Sequence, residues 1–373
     1  MGPIRVLHIL HSMNRGGAEN AIMNYYRHID RDKIQFDFLL TEQSRCQFED
    51  EIHSLGGLVF RVPLLTIKNP IPYFNGVKSF FLSHPEYRII HSHTSSKSFF
   101  PLWIGKKCNI PVRICHSHAS QSEHGARGMI RNLLKPILKR VATHFFACGQ
   151  DAAIWLYGNE MVRSGRVQFF PNVIEADLFD FDAKVRTEIR KRLGINDTTV
   201  VLGCTARFSE VKNHLFLISV FEEFHKRIVD SKLLLIGDGE LRTEIENRIE
   251  LLKLQESVIF SGTVPNVGDF EQAMDFFLLP SYNEGIPLSL IEAQVSGLHC
   301  YVSTGVPRES DKTGLVTFLP INEGPAPWVK RIMDGFGYLR TSRYKDIVSS
   351  GYDAHTSAIE LGLFYWNVYS NIK

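Results

Sequence analysis

The stretch FFLLPSYNEGIPLSLIEAQVSG, residues 276–297, decides how the rest of the chain is read. Phe276–Leu279 is a short apolar run without alternation, the pattern of a strand buried on both faces of a parallel sheet. A loop follows, with Pro287 placed as the first residue of a helix and Gly297 as its stop. In open α/β sheets such carboxyl-end loops hold the ligands. Glu284 falls in the loop and Glu292 about one and a half turns into the helix. Free backbone N–H groups between them suit an anion, and the two carboxylates suit sugar hydroxyls. One loop glutamate alone reads as structural; two bracketing a helix start point to a ligand.

Outward from this unit, apolar runs alternate with helix-like segments along most of the chain. Strands are expected at Ile4–Leu10, Phe36–Thr41, Leu58–Val62, Arg88–His93, Val112–His116, His144–Cys148 and Val167–Phe170. The rhythm repeats at Val200–Ala206, Leu233–Ile236, Val258–Ser261, Phe276–Leu279, His299–Ser303 and Leu315–Leu319. That is too many strands for one Rossmann sheet, so the fold class is α/β with two Rossmann-like parallel-sheet domains. The seam is expected after Pro171-Asn172, in an acidic stretch that leads to a fresh helix at Ala183–Leu193. The expected domains are residues 1–171 and 172–350, with 351–373 as a terminal helix. That helix shows Ile359, Leu363, Trp366 and Tyr369 on one face, which calls for a docking surface.

Composition narrows the class without naming it. In 373 residues, 44% hydrophobic and 22% charged with a net charge of +2, nothing argues for disorder or for wholesale nucleic-acid binding. The six cysteines lack C-x-x-C spacing, so neither zinc nor a disulfide framework is expected, and a reducing cytosol is the simplest compartment. The amino terminus reads as no signal peptide, and no window reaches the ~20 apolar residues of a membrane span.

Three further loops carry charge or glycine at strand ends. Gly16-Gly17 follows the first strand and opens a helix. Arg207 and Lys212 follow Val200–Ala206 and suit a diphosphate, though a solvated charged loop is the plainer reading. Gly237-Asp238-Gly239 follows Leu233–Ile236, but Arg242 stands where a dinucleotide fingerprint needs its third glycine. Asp30-Arg31-Asp32 and Asp180-Phe181-Asp182 read as turns and caps rather than metal ligands, so no metal is expected.

Taken together, N-E-G-I-P-L-S-L-I-E-A, Arg207-Phe208…Lys212-Asn213, G-D-G-E-L-R at 237–242, Gly16-Gly17 and Pro171-Asn172 resemble glycosyltransferase family 4 along essentially the whole chain. The flavour is that of bacterial capsular and exopolysaccharide transferases. The resemblance implies the GT-B fold, with an acceptor-binding and a donor-binding domain facing across a cleft and the last helix returning to the first. It also implies retaining transfer of a hexose-type sugar from a nucleoside diphosphate, most often UDP, to a saccharide or lipid-linked saccharide. No cofactor beyond that donor is implied. Retention is usually described in this family as front-face attack, so no protein nucleophile is named.

Carried over residue by residue, Arg207 and Lys212 hold the diphosphate, Glu292 the ribose and Glu284 the donor-sugar hydroxyls. Gly16, Gly17, Gly237, Gly239, Val264, Gly285, Ile286, Pro287 and Leu288 fall among the donor-binding positions. His118 resembles the histidine beside the donor sugar, with His116 the nearby alternative and a buried, hydrogen-bonded histidine the plain reading of each. His91 and His93 read as packing.

A basic run bears on the acceptor. From Lys97 to Arg140 there are nine basic residues and one acidic, and Arg127, Arg131, Lys135 and Lys139 recur every four residues among apolar neighbours. Such a helix can bind an anionic leaflet or a lipid-diphosphate acceptor, or simply turn a solvated face outward. The expected location is cytoplasmic, peripheral on the inner face of the plasma membrane. Three other readings stay open: a nucleotide-sugar epimerase of the same architecture, a dinucleotide-dependent dehydrogenase, and a silent scaffold of an assembly complex.

Overall fold

The computed structural model describes residues 2–14, 16–66, 68–118 and 126–372, with the backbone alone at 126–131. The chain divides into two compact units. One comprises Met1–Val173 with Ala354–Lys373, the other Ile174–Asp353.

The N-terminal unit carries a seven-stranded sheet, β1 Ile4–Leu10, β2 Ile34–Leu40, β3 Val59–Arg61, β4 Ile89–Ser92, β5 Val112–Ser117, β6 His144–Ala147 and β7 Val167–Phe169. Its order is β3-β2-β1-β4-β5-β6-β7, and every pairing is parallel. The C-terminal unit carries β8 Val200–Thr205, β9 Ser231–Ile236, β10 Val258–Gly262, β11 Phe276–Leu279, β12 His299–Ser303 and β13 Val316–Leu319. These lie in the order β10-β9-β8-β11-β12-β13, again all parallel. The expected runs become these strands with ends shifted by one or two residues. β2 starts earlier because Ile34 and Gln35 are buried with it; Leu58 drops out of β3, its amide held by Asp37 Oδ1 at 2.7 Å.

In each sheet the order reverses once, between β1 and β4 and between β8 and β11. Crossovers leave these strands on opposite sides, so a crevice opens at their carboxyl ends. Helices cover both faces, which is why β2, β4 and β11 are buried at every position.

Two local expectations hold at named residues. Asp182 caps the helix Ala183–Arg192 by accepting from the amides of Lys184 (2.7 Å) and Val185 (3.3 Å). Gly297 follows the helix Leu288–Val295 at φ 69°, where an added Cβ would meet Thr341 O at 1.9 Å.

The terminal helix corrects the reading of its docked face. Ala354–Ser370 packs on the N-terminal unit through Ala354, Ala358, Leu361 and Tyr365. Ile359, Leu363, Trp366 and Tyr369, the face expected to dock, are exposed, Trp366 to 48%. The terminal helix lies against the helix Gly17–His28, and a Cβ added at Gly362 would sit 3.5 Å from Ile29 Cγ1, in ordinary contact. Side-chain size pointed to the wrong stripe; backbone proximity chose the other.

Candidate donor-binding site

The crevice of the C-terminal unit is built by the loops after β8 and β11. After β8 the chain makes a short 3-10 turn at Glu210–Lys212, and Asn213 adopts a left-handed conformation (φ 55°, ψ 47°) to enter the helix His214–Arg227. Asparagine tolerates that conformation better than most residues. The loop after β11 is tied to this turn by the backbone, since the Tyr282 amide donates to Val211 O at 2.8 Å. The Glu284 amide donates to Gly305 O at 3.1 Å, and an added Cβ on Gly305 would meet Tyr282 O at 2.2 Å. Main chain thus packs on main chain and fixes where Glu284 stands.

Lys212 and Glu284 meet there. Lys212 Nζ lies 2.5 Å from Glu284 Oε1, with side-chain exposures of 20% and 12%. Such a charge-assisted bond is stronger than a solvated surface pair. Pro287 is the cap of the following helix (φ −73°, ψ 118°) rather than its first residue, and the helix begins at Leu288. A proline loses nothing at that position, because its missing N–H would have had no helical partner. Among the described residues no backbone carbonyl accepts from the amides of Gly285, Ile286, Leu288 or Ser289. A half-buried cation and a cluster of uncommitted N–H groups therefore share one loop.

Arg207 does not join them. Its Nε donates to Glu240 Oε2 at 3.0 Å, and both side chains are exposed. The physical reason is local, because Glu240 sits on the loop that packs against residues 206–208. Gly237 (φ 132°) and Gly239 serve that packing; an added Cβ would meet Ala206 O at 2.2 Å and Phe208 O at 2.5 Å. Val264 is half-buried against the core.

Glu292 is the fifth residue of its helix, half-buried, and burial pushes its carboxyl up to about 7. Its neighbour Glu271 was not singled out in the sequence. Glu271 is fully buried on the helix Val267–Gln272; its Oε1 accepts from Thr205 Oγ1 at 2.8 Å, while Oε2 has no partner. Burial first, and then the Glu292 charge, drive its carboxyl well above the usual range. Nothing in the run D-F-E-Q distinguishes it from a surface glutamate. His214 was also passed over; it is buried beside Lys212 with neither ring nitrogen partnered, and burial lowers it to about 4.

The N-terminal unit gathers histidines at its own reversal. His91 with His93, and His116 with His118, are two apart in and just beyond β4 and β5, and so lie on one face of the sheet, with His8 of β1 in register with His91. His118 is committed at both nitrogens, to Asn172 Oδ1 (2.9 Å) and His93 Nδ1 (2.8 Å). His91 and His93 pack as expected. His8 with His91 and His93, and His93 with His116 and His118, each bring ring nitrogens within 4.8 Å of one another, close enough to share an ion. Gly16 caps the helix Gly17–His28 with extended backbone.

Two parallel sheets that each reverse their order once, one with a cation and free amides in its crevice, define two doubly wound α/β units. Family models match both. Residues 16–172 match the glycosyl transferase 4-like domain and residues 185–310 match glycosyl transferases group 1. EpsF of Bacillus subtilis, classed as a glycosyltransferase, is 35% identical over 357 residues, covering 94% of this chain and 93% of its own. The capsular polysaccharide biosynthesis glycosyltransferase CapH of Staphylococcus aureus is 24% identical over 296 residues, 78% of each chain. The crystal structure of Anabaena HepE in complex with UDP superposes with a TM-score of 0.76 at 16% identity, covering 99% of this chain and 100% of that one. The last likeness concerns the fold, which is GT-B. The chain belongs to the family 4 glycosyltransferases.

Proposed function

We propose that the protein is a retaining hexosyltransferase of capsular or exopolysaccharide biosynthesis. It takes a sugar from a nucleoside diphosphate, UDP by preference, and passes it to a saccharide or lipid-linked saccharide. The observation that carries this reading is the Lys212–Glu284 pair set beside the uncommitted amides of residues 285–289. Breaking a sugar–diphosphate bond builds negative charge on the departing phosphate. A fixed cation and aimed N–H groups stabilise that charge without reorganising. Lys212 and the amides take the diphosphate, with Arg207 joining once it leaves Glu240. Glu284 accepts from donor-sugar hydroxyls, Glu292 from the ribose, and His118 serves a sugar substrate. On this reading the phosphate charge is met without a metal. CapH, by its name, works in capsular polysaccharide synthesis, which supports the pathway assigned here.

The test is transfer itself. UDP release from a UDP-hexose should require a saccharide acceptor, and the product should keep the donor's anomeric configuration. Release of an epimerised donor with no acceptor present would identify an epimerase instead.

We also propose that the helix Ala126–Val141 meets an anionic leaflet. Leu133 (69% exposed), Ile137 (42% exposed) and the exposed Arg140 support this. Lys135 contributes less than its spacing suggests, because its Nζ sits 4.0 Å from the Trp155 ring centroid. Lys139 is half-buried, and the side chains of Arg127 and Arg131 lie outside the described residues. No helix among the described residues is long and apolar enough to cross a membrane. The protein should float with phosphatidylglycerol liposomes at low salt, and Leu133→Glu with Ile137→Glu should abolish flotation. Wild-type protein indifferent to anionic lipid removes this contact.

A further inference from the structure

The five histidines of the N-terminal unit form two hydrogen-bonded rows whose proton positions can be read from their ends. The Phe170 carbonyl can only accept, so His116 Nε2 carries the hydrogen at 3.1 Å. His116 Nδ1 must then accept from His91 Nε2 at 3.2 Å, which leaves His91 Nδ1 to accept from the Tyr365 hydroxyl at 2.6 Å. In the second row Asn172 Oδ1 accepts from His118 Nδ1 at 2.9 Å; the opposite direction would bury an unpartnered N–H at His8 Nε2. His118 Nε2 accepts from His93 Nδ1 at 2.8 Å, and His93 Nε2 from His8 Nδ1 at 2.9 Å. His8 Nε2 is left with a bare lone pair, buried and without a partner. It borders a cavity of about 10 Å³ lined by all five rings, room for about one water.

Every ring in this arrangement is neutral and carries one proton. A second proton on His93, His116 or His118 would set one N–H against another. Burial opposes charge as well, and holds His8 near about 3 and His118 near about 4. An ion shared by His93, His116 and His118 would have to take lone pairs the rows already use, and no carboxylate among their hydrogen-bond partners would offset it.

We infer that His93 is a positioning residue. By donating Nδ1–H to His118 Nε2, it holds the His118 ring with its own Nδ1–H turned toward Asn172. The N-terminal unit thereby offers a substrate hydroxyl oxygen a hydrogen-bond donor at that point, never a lone pair or a cation. Asn172 Oδ1 holds the place the substrate oxygen takes. This rests on the proposed role of His118 at a sugar substrate.

His93→Gln keeps one donor and one acceptor on a neutral side chain, whereas His93→Leu removes both. Nitrogen-15 spectra of histidine-labelled protein, assigned with His118→Asn, should show His118 protonated at Nδ1 alone from about pH 8 to about pH 6. His93→Leu should show mixed His118 tautomers and lose about tenfold or more in kcat with donor KM little changed; His93→Gln should recover most of that loss. A wild-type His118 carrying its proton on Nε2, or charged at neutral pH, overturns the inference. So does a His93→Gln enzyme as slow as His93→Leu, or zinc retained mole for mole after purification. If His93→Leu does not fold, the wild-type spectrum and His93→Gln carry the decision. If wild type turns over no sugar nucleotide, the functional reading fails while the nitrogen spectra still decide the array.

Discussion

Taking the protein from pH 7 to pH 5 is expected to unfold the N-terminal unit while the C-terminal unit holds or gains stability. His8, His91, His93, His116 and His118 are all driven well below their ordinary value of 6.5, by burial first and by neighbouring imidazoles where those contribute. Between the folded values and 6.5 the unfolded chain binds more protons than the native one, so stability rises with pH across that window. It is fully present above 6.5 and is lost as pH falls below it. For His8 the loss at pH 5 is about 2 kcal/mol. Several such groups together rival the whole stability of an ordinary domain, about 5–15 kcal/mol.

In the C-terminal unit two buried carboxylates act with the opposite sign and offset His214, which burial lowers to about 4. Glu271 and Glu292 titrate above their ordinary 4.5, so there the native state binds more protons than the unfolded. Stability from these groups is present below 4.5 and falls as pH rises through about 7. Hydrogen exchange corrected for intrinsic rates should show protection collapsing in peptides of residues 2–173 and persisting in those of 174–353. Glu271→Gln should stabilise the C-terminal unit at neutral pH and do little at pH 5. Equal protection of the N-terminal unit at both pH values would contradict the buried, neutral array.

Removing the Glu284 carboxylate should cost turnover far more than nucleotide affinity. On the proposed reading Glu284 accepts from the donor sugar, while Lys212 remains in place to meet the diphosphate. A donor-sugar hydroxyl left without its acceptor in a water-poor site loses an interaction that strengthens as the sugar gains oxocarbenium character. Losses of about 100-fold in kcat, roughly 3 kcal/mol, follow from comparable deletions. In Glu284→Ala, kcat measured with saturating donor should fall by that order, and nucleotide Kd should stay within about threefold. Unchanged turnover would retire the role assigned to Glu284.

The backbone was more legible in the sequence than the side-chain partnerships. Doubly buried strands announce themselves as unbroken apolar runs, which is why β1, β11 and β12 fall on their expected residues. The turn chemistry of Asp182 and Gly297 is local, and local rules read it. The pairing of Arg207 with Glu240 was not legible because Glu240 comes from another loop, and sequence spacing alone does not pair the two loops. Glu271 stayed hidden for a related reason: its burial depends on Thr205 and Glu292, far apart in sequence. The two H-S-H pairs at 91–93 and 116–118 did carry a signal. Alternate residues on adjacent parallel strands share a face, so four imidazoles had to meet. What the pattern withheld was the direction of each hydrogen bond, which depends on Phe170, Asn172 and Tyr365.

Calorimetric titration of UDP into wild type and Lys212→Ala tests the central claim most directly. The account predicts micromolar-range binding by wild type and a loss of about 30-fold or more, near 2 kcal/mol, in the variant. A Lys212→Ala protein that folds normally and binds UDP as tightly as wild type would mean the diphosphate rests elsewhere.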